Sequence, residues 1–418
     1  MVELDGLPQP AQEQIEQLGS ADIVIGVTSC ETAASIAAAV GAVRRAVQTL
    51  RPGGRTVLVH KDGVPVDIGG GLPEQGEARE LSVLSCPMPG SEPFARGTLD
   101  PGEPCSTLFR IARALEARAC GILTSDAESI TSQVVHSIVE PVLAQSIDLV
   151  VACYARRKFE GLINSGIAYP LTRALYGKRI ECPISPDLGF SRNFIDKSLI
   201  EAATVRTSGT LWIPTSAVVR GFQVGEVHLG PRPPAAPRDA ADLSTVVSEV
   251  VGTLYGAMEQ NAAFWQRTRG SQPVRTFGQP DVVAEDTGEV DVSKMIEAFH
   301  LGYRNLLDVW GLFLPPAALV ELKRLTRVPA EHFRVGDDLW ARIVYDFGLG
   351  YRLRTISRDH LLRAMTPLYL GWVAAYALEV GNAQAGAVQA RIERLCMAYE
   401  SQKPYLLSRW RWPDRFNP

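Results

Sequence analysis

The chain has 418 residues, 46% apolar, 21% charged and 7% aromatic, with a formal net charge of −4. That length suits two domains with separate cores, and the composition excludes a disordered or fibrous chain. The mildly acidic balance gives no general affinity for polyanions, so a nucleic-acid partner has little electrostatic support.

The N-terminal MVELDGLPQPAQEQIEQ has no basic leader followed by an apolar run, so no signal peptide is expected. ADIVIGV (21–27) reads as a buried strand, and ETAASIAAAVGAVRRAVQTL (31–50) as a helix of strong helix formers. RTVLVHKDG (55–63) is a second strand ending in a turn, STLFRIARALEAR (106–118) a second helix, CGILTSD (120–126) a third strand and SIDLVVACYAR (146–156) a fourth. This alternation implies an α/β domain with a parallel sheet and helices on its faces. Ligands then belong at the carboxyl ends of the strands, where 28–31, 60–63 and 125–128 fall.

GPRPPAAPRDAAD (230–242) holds four prolines and reads as a linker, after which long helical patterns dominate. The expected division is an α/β domain over 1–235 and an all-helical domain over 236–418. Phe299, Tyr303, Trp310, Phe313, Trp340, Phe347 and Trp372 form an aromatic stripe that reads as core of the second domain. MTPLYLGWVAAYALEV (365–380) is too short for a membrane span and is interrupted by Pro367 and Glu379, so it reads as a buried helix. The seven cysteines include no CxxC pair, which argues against a zinc ribbon or a disulfide framework and fits a reducing cytoplasm.

Residues two apart in an extended segment point the same way, so Asp126 and Glu128 in TSDAES can face one ligand beyond a strand end. Two hard oxygen donors there suit Mg²⁺ or Mn²⁺. The same letters also read as a capped helix start. His228, in GEVHLGP, lies at the end of the α/β half and is either a structural histidine or a nitrogen donor, which would favour Mn²⁺. Glu31 is either a ribose or base contact or a favourable charge at a helix N-terminus, and Asp62 either faces a base or forms a turn. Arg156, Arg157 and Lys158 hold an anionic acceptor or form a solvated loop. Gly69–Gly71 lack the GK[ST] of a phosphate loop, and neither G-x-S-x-G nor H-E-x-x-H occurs.

The order of these pieces resembles the GT-A glycosyltransferases, specifically the retaining enzymes that make mannosylglycerate and glucosyl-3-phosphoglycerate. The resemblance runs from IVIGVTSCE through RGTLDPGEPCSTLFRIAR, TSDAES, CYARRKFEG, CPISPDLGFSRNFI and LWIPTSAVVRGFQVGEVHLGP. It implies a Rossmann-like nucleotide-sugar-binding domain followed by a helical region. It also implies a metal site of Asp126, Glu128 and His228, with nucleotide contacts from Glu31 and Asp62 and with Asp126 near the ribose or a metal-bound water. Three departures stand out. Glu128 replaces an Asp, Gly102-Glu103 replaces a Gly-Lys pair at the donor phosphates, and Asn164 stands where an acceptor-phosphate grip is expected. The last favours glycerate, or another small hydroxy acid, over 3-phosphoglycerate.

The implied reaction moves a hexose from GDP-mannose or UDP-glucose to the acceptor, with Mn²⁺ or Mg²⁺ and with retention. Asp187, Ser191 and Arg192 are expected to orient the acceptor. The alternatives are a nucleotidyltransferase of similar fold and a non-catalytic sugar-nucleotide-binding protein. A cytoplasmic enzyme with no membrane span is expected, and the ends of the helical domain suit a homodimer.

Overall fold

The computed structural model describes residues 7–28, 30, 32–50, 54–61, 81–86, 102–123, 129–204, 213–231, 243–279 and 290–413. The chain forms two compact units: Met1–Ala155, Ile184–Arg238 and Val274–Asp281 in one, Arg156–Pro183, Asp239–Pro273 and Val282–Pro418 in the other. The division is not one cut at 235/236. Residues 156–183 join the helical unit because helix Tyr169–Tyr176 packs on helix Ala385–Arg411 through Arg173, and 274–281 returns a strand to the α/β unit.

Among the described residues the α/β unit has one eight-stranded sheet. Its strands are β1 (Ile23–Val27), β2 (Thr56–Lys61), β3 (Leu81–Cys86), β4 (Ala119–Leu123), β5 (Leu149–Ala155), β6 (Asp187–Ser191), β7 (Val224–Pro231) and β8 (Arg275–Phe277). The order is β8-β7-β5-β6-β4-β1-β2-β3, parallel throughout except for β6, which runs antiparallel to both β4 and β5. The sequence reading anticipated β1, β2, β4 and β5, whose apolar runs follow from burial on both faces. It did not anticipate β3 or β6, whose apolar runs are broken by Ser82 and Ser85 and bounded by Asp187 and Ser191 respectively, or β8, which is three residues long.

Helices Ala33–Thr49 and Ser132–Gln145 cover one face, with Ile36, Val40, Val43 and Val47 of the first and Val135, Ile138 and Val139 of the second sharing one apolar cluster with the sheet. A capping box starts the first: Ser35 N donates to Thr32 Oγ1 and Thr32 N to Ser35 Oγ, each at 3.1 Å. Thr131 caps the second, accepting from Val134 N at 3.2 Å. Thr131, not Asp126 or a neighbouring serine, is therefore the cap of that helix. Gly189 lets Ser132–Gln145 lie directly on β6, since a Cβ there would sit 2.5 Å from Ile138 O. On the other face Phe109 of helix Gly102–Ala114 meets Phe190 at 4.9 Å and Phe194 of helix Arg192–Thr204 at 6.1 Å, both edge-on.

Among the described residues the second unit is helical apart from a two-residue parallel pairing of Lys178–Arg179 with Gln272–Pro273. Its long helices are Leu243–Gln260, Val292–Trp310, Asp337–Leu353, Thr366–Val380 and Ala385–Arg411. Six of the seven stripe aromatics are buried, and Tyr303 is half-buried with its ring 6.4 Å from that of Trp310. The stripe is core, as read. By length and composition Arg358–Val380 could cross a membrane, but 72% of its apolar window is buried inside the protein. Buried charge here is hydrogen-bonded: Arg173 donates to Glu393 at 2.5 and 2.8 Å and to Glu400 at 2.7 Å, Arg409 donates to Asp346 at 3.0 Å, and Lys403 Nζ donates to Ala174 O at 2.7 Å and Thr268 O at 3.0 Å.

Candidate functional site

Sheet order reverses at β1. From it the chain steps to β2 and β3 on one side and then crosses to β4 on the other. A doubly wound sheet takes its ligands outside the carboxyl ends of the strands at such a switch point. One registered row of residues lies along that edge: Ser85, His60, Val27, Leu123, Asp187, Ala152, Val227 and Phe277, in order across the sheet from β3 to β8. Being in register, their side chains share one face.

Asp187 is the carboxylate of this row. Because β6 runs backwards, its first residue lies beside Leu123, the last residue of β4. The side chain is buried, at 0% exposure, and accepts a short hydrogen bond from the Tyr154 hydroxyl. Tyr154 is two residues beyond Ala152 on β5 and so returns to the same face. Ser185 Oγ lies 2.7 Å from Ala152 O and 2.9 Å from Asp187 O, which ties the entry of β6 to β5. His60 occupies the same row on β2, 3% exposed, its Nδ1 2.8 Å from Lys61 O.

The structure separates the residues expected to orient the acceptor. Ser191 pairs with Ala119, the first residue of β4, so it lies at the opposite edge from Asp187, about 13 Å away along an extended strand. There Ser191 Oγ donates to Asp148 Oδ1 at 2.8 Å and accepts from Phe194 N at 3.1 Å, capping the helix that follows. Arg192 starts that helix, half exposed, with Nη1 on Glu116 O at 3.3 Å and Nε 3.6 Å from Asp196. The grouping of Ser191 and Arg192 with Asp187 is corrected accordingly: four residues of extended chain cannot fold back onto one site. Asp148 also accepts from Asn193 and from Gln223 N, so this edge is a structural tie.

His228 pairs with Cys153 and stands one residue past the row, half-buried, on the face opposite Asp187. Two strands lie between β4 and β7, so joining His228 to residues after β4 spans about 14 Å of sheet. Glu31, Asp62, Asp126 and Glu128 lie outside the described residues.

Arg156, Arg157 and Asn164 belong to the helical unit. Arg156 folds back over Gly161, whose φ of +65 is a backbone conformation that favours glycine and whose Cβ direction points at Arg156 Nη1, 2.7 Å away. Arg157 is exposed, and its backbone N–H donates to Glu160 at 3.3 Å. Asn164 corrects an expectation. It is 6% exposed in the π-helical turn Asn164–Ala168, where its Nδ2 donates to Glu181 O at 2.8 Å, so it ties the chain internally instead of facing a ligand. The next turn is anchored the same way, with Trp340 Nε1 and Tyr399 Oη donating to Gly166 O at 2.8 and 3.1 Å.

Cys120, on β4, is no nucleophile: burial pushes its thiol up to about 12, so it stays protonated at neutral pH. The residues that sequence reading missed at the edge are Tyr154 and Ser185. Tyr154 stands two residues before the basic run in CYARRKF, and Ser185 lies two residues before Asp187.

The fold is thus α/β with a mainly parallel sheet, accompanied by a helical C-terminal region. Similar solved structures include mannosyl-3-phosphoglycerate synthase from Rubrobacter xylanophilus, 15% identical, covering 62% of this chain and 81% of that one at a TM-score of 0.35. Another is glucosyl-3-phosphoglycerate synthase from Mycobacterium tuberculosis in complex with uridine diphosphate, 18% identical, covering 60% and 84% at a TM-score of 0.31. The likeness is one of fold, and it is distant. No family model and no curated protein matches.

Proposed function

We propose that this chain is a glycosyltransferase of the GT-A type, moving a hexose from GDP-mannose or UDP-glucose to a hydroxyl of a small hydroxy acid such as D-glycerate. The observation that carries the reading is the switch-point edge. Strand order reverses at β1, and the antiparallel β6 sets the buried Asp187 carboxylate against the carboxyl end of β4. Helices Ala33–Thr49 and Ser132–Gln145 follow β1 and β4, so their N-termini open on this edge and add partial positive charge suited to a diphosphate.

The demanding step is departure of the nucleoside diphosphate, on which negative charge grows. In the proposal Asp126, Glu128 and His228 hold Mn²⁺ or Mg²⁺, which when bound supplies Lewis-acid stabilisation of that charge. Two carboxylates and an imidazole form a donor set that favours Mn²⁺. Glu31 and Asp62 contact the nucleotide, with Asp126 also near the ribose. Asp187 orients the acceptor hydroxyl for attack on the face from which the diphosphate leaves, giving retention. The Tyr154 hydroxyl holds that carboxylate in one orientation.

Calorimetric titration with UDP-glucose and GDP-mannose, each with and without Mn²⁺, tests the donor: metal-dependent binding of one is expected, and metal-dependent binding of neither sinks the reading. Product formation with D-glycerate and with 3-phosphoglycerate identifies the acceptor, and NMR of the product reads the anomeric configuration.

A further inference from the structure

A cleft of about 560 Å³ opens on the helical unit at the end of helix Ala385–Arg411, within the size range of small-ligand sites. Its walls carry Glu259, Gln266, Arg352, Trp410, Arg411 and Trp412. The carboxylate is already neutralised, since Arg358 donates to Glu259 at 2.6 Å. The two cleft arginines have no carboxylate partner among the described residues. Arg352 is held in place: Nη1 donates to Trp410 O at 2.7 Å, and the guanidinium lies over the Trp410 ring at 4.4 Å. Trp410 is itself fixed edge-on against Trp265 at 5.1 Å.

Trp412 is the aromatic exception on this surface. Its backbone is tied to the helix by a hydrogen bond to Ser408 O at 2.9 Å, yet its side chain is 76% exposed. A large indole held in water beside two guanidinium groups without a carboxylate partner among the described residues is a poor arrangement for packing and a good one for recognition. Indole stacks on a planar ring, and guanidinium groups grip a phosphate through paired N–H donors. We infer that this cleft binds an organic phosphate carrying a planar ring, of the nucleoside monophosphate class. Trp412 stacks on the ring, Arg352 and Arg411 hold the phosphate, and Gln266 supplies a neutral polar contact. The inference concerns the helical unit alone and is independent of the reaction proposed for the sheet edge.

The test is calorimetric titration of the full chain with AMP, adenosine and ribose 5-phosphate. Saturable binding of AMP is expected, with adenosine and ribose 5-phosphate each at least tenfold weaker. Trp412→Ala and Arg411→Gln, both at exposed positions, should each weaken AMP at least tenfold while leaving the urea midpoint unchanged, and Asp187→Asn should leave AMP affinity unchanged. The inference is overturned if AMP shows no saturable binding at millimolar concentration, if both cleft variants bind it like the parent, or if ribose 5-phosphate binds as tightly as AMP.

Discussion

Gly189→Ala is the substitution that most directly probes how packing holds the candidate site. The added methyl would stand 2.5 Å from Ile138 O and 2.9 Å from Ile138 Cγ2, in the middle of helix Ser132–Gln145. An ordinary carbon–oxygen contact is about 0.9 Å longer, and a helix carbonyl cannot rotate aside as a side-chain tip can. The helix must therefore lift from β6, and overpacking of this kind costs about 1–3 kcal/mol. Gly256, in helix Leu243–Gln260, is the contrast: nothing lies within 4 Å of its Cβ direction, so Gly256→Ala should stabilise by about 0.5–1 kcal/mol through helix propensity. Urea unfolding followed by circular dichroism reads both, with the midpoint falling for Gly189→Ala and rising for Gly256→Ala. Since Gly189 lies two residues from Asp187, the first variant should also lose transfer activity. Equal midpoints for Gly189→Ala and the parent would refute the account of close helix–strand packing.

Other outcomes follow from single contacts. Tyr154→Phe removes the hydroxyl on Asp187 and should lower kcat about tenfold with donor KM unchanged, the pattern of a lost positioning contact; a change confined to KM would count against it. Asp346, 1% exposed between Arg409 and Tyr405, has its carboxyl pushed by burial up to about 7, against the pull of Arg409. Its folded pKa exceeds the unfolded value of 3.8, so the stabilising contribution is full below about pH 4 and is lost as pH rises towards 7. Asp346→Asn should therefore flatten the fall in urea midpoint across that window. Arg173→Met removes the charge-assisted bonds to Glu393 and Glu400 and should cost about 2–3 kcal/mol, because those carboxylates, 45% and 24% exposed, rehydrate. Arg173→Lys should recover little of it, as an ammonium cannot make the paired contact with Glu393.

Elements whose physics is local are legible along the chain. The continuous apolar runs of β1, β4 and β5 announce strands buried on both faces, and the alanine-rich stretch after β1 announces its helix. The aromatic spacing in the second half announces the core that Trp310, Trp340 and Trp372 form. Tertiary structure decided what depends on pairing and direction. Nothing in DLGFS tells that β6 runs backwards between β4 and β5, yet that reversal puts Asp187 at the ligand edge and Ser191 at the far one. Nothing in NSGIA tells that Asn164 turns inward, because burial is set by which surface packs over it. Hydrophobic period and propensity are written along the chain, whereas strand order, register and face emerge only when distant segments compete for the same hydrogen bonds and the same core.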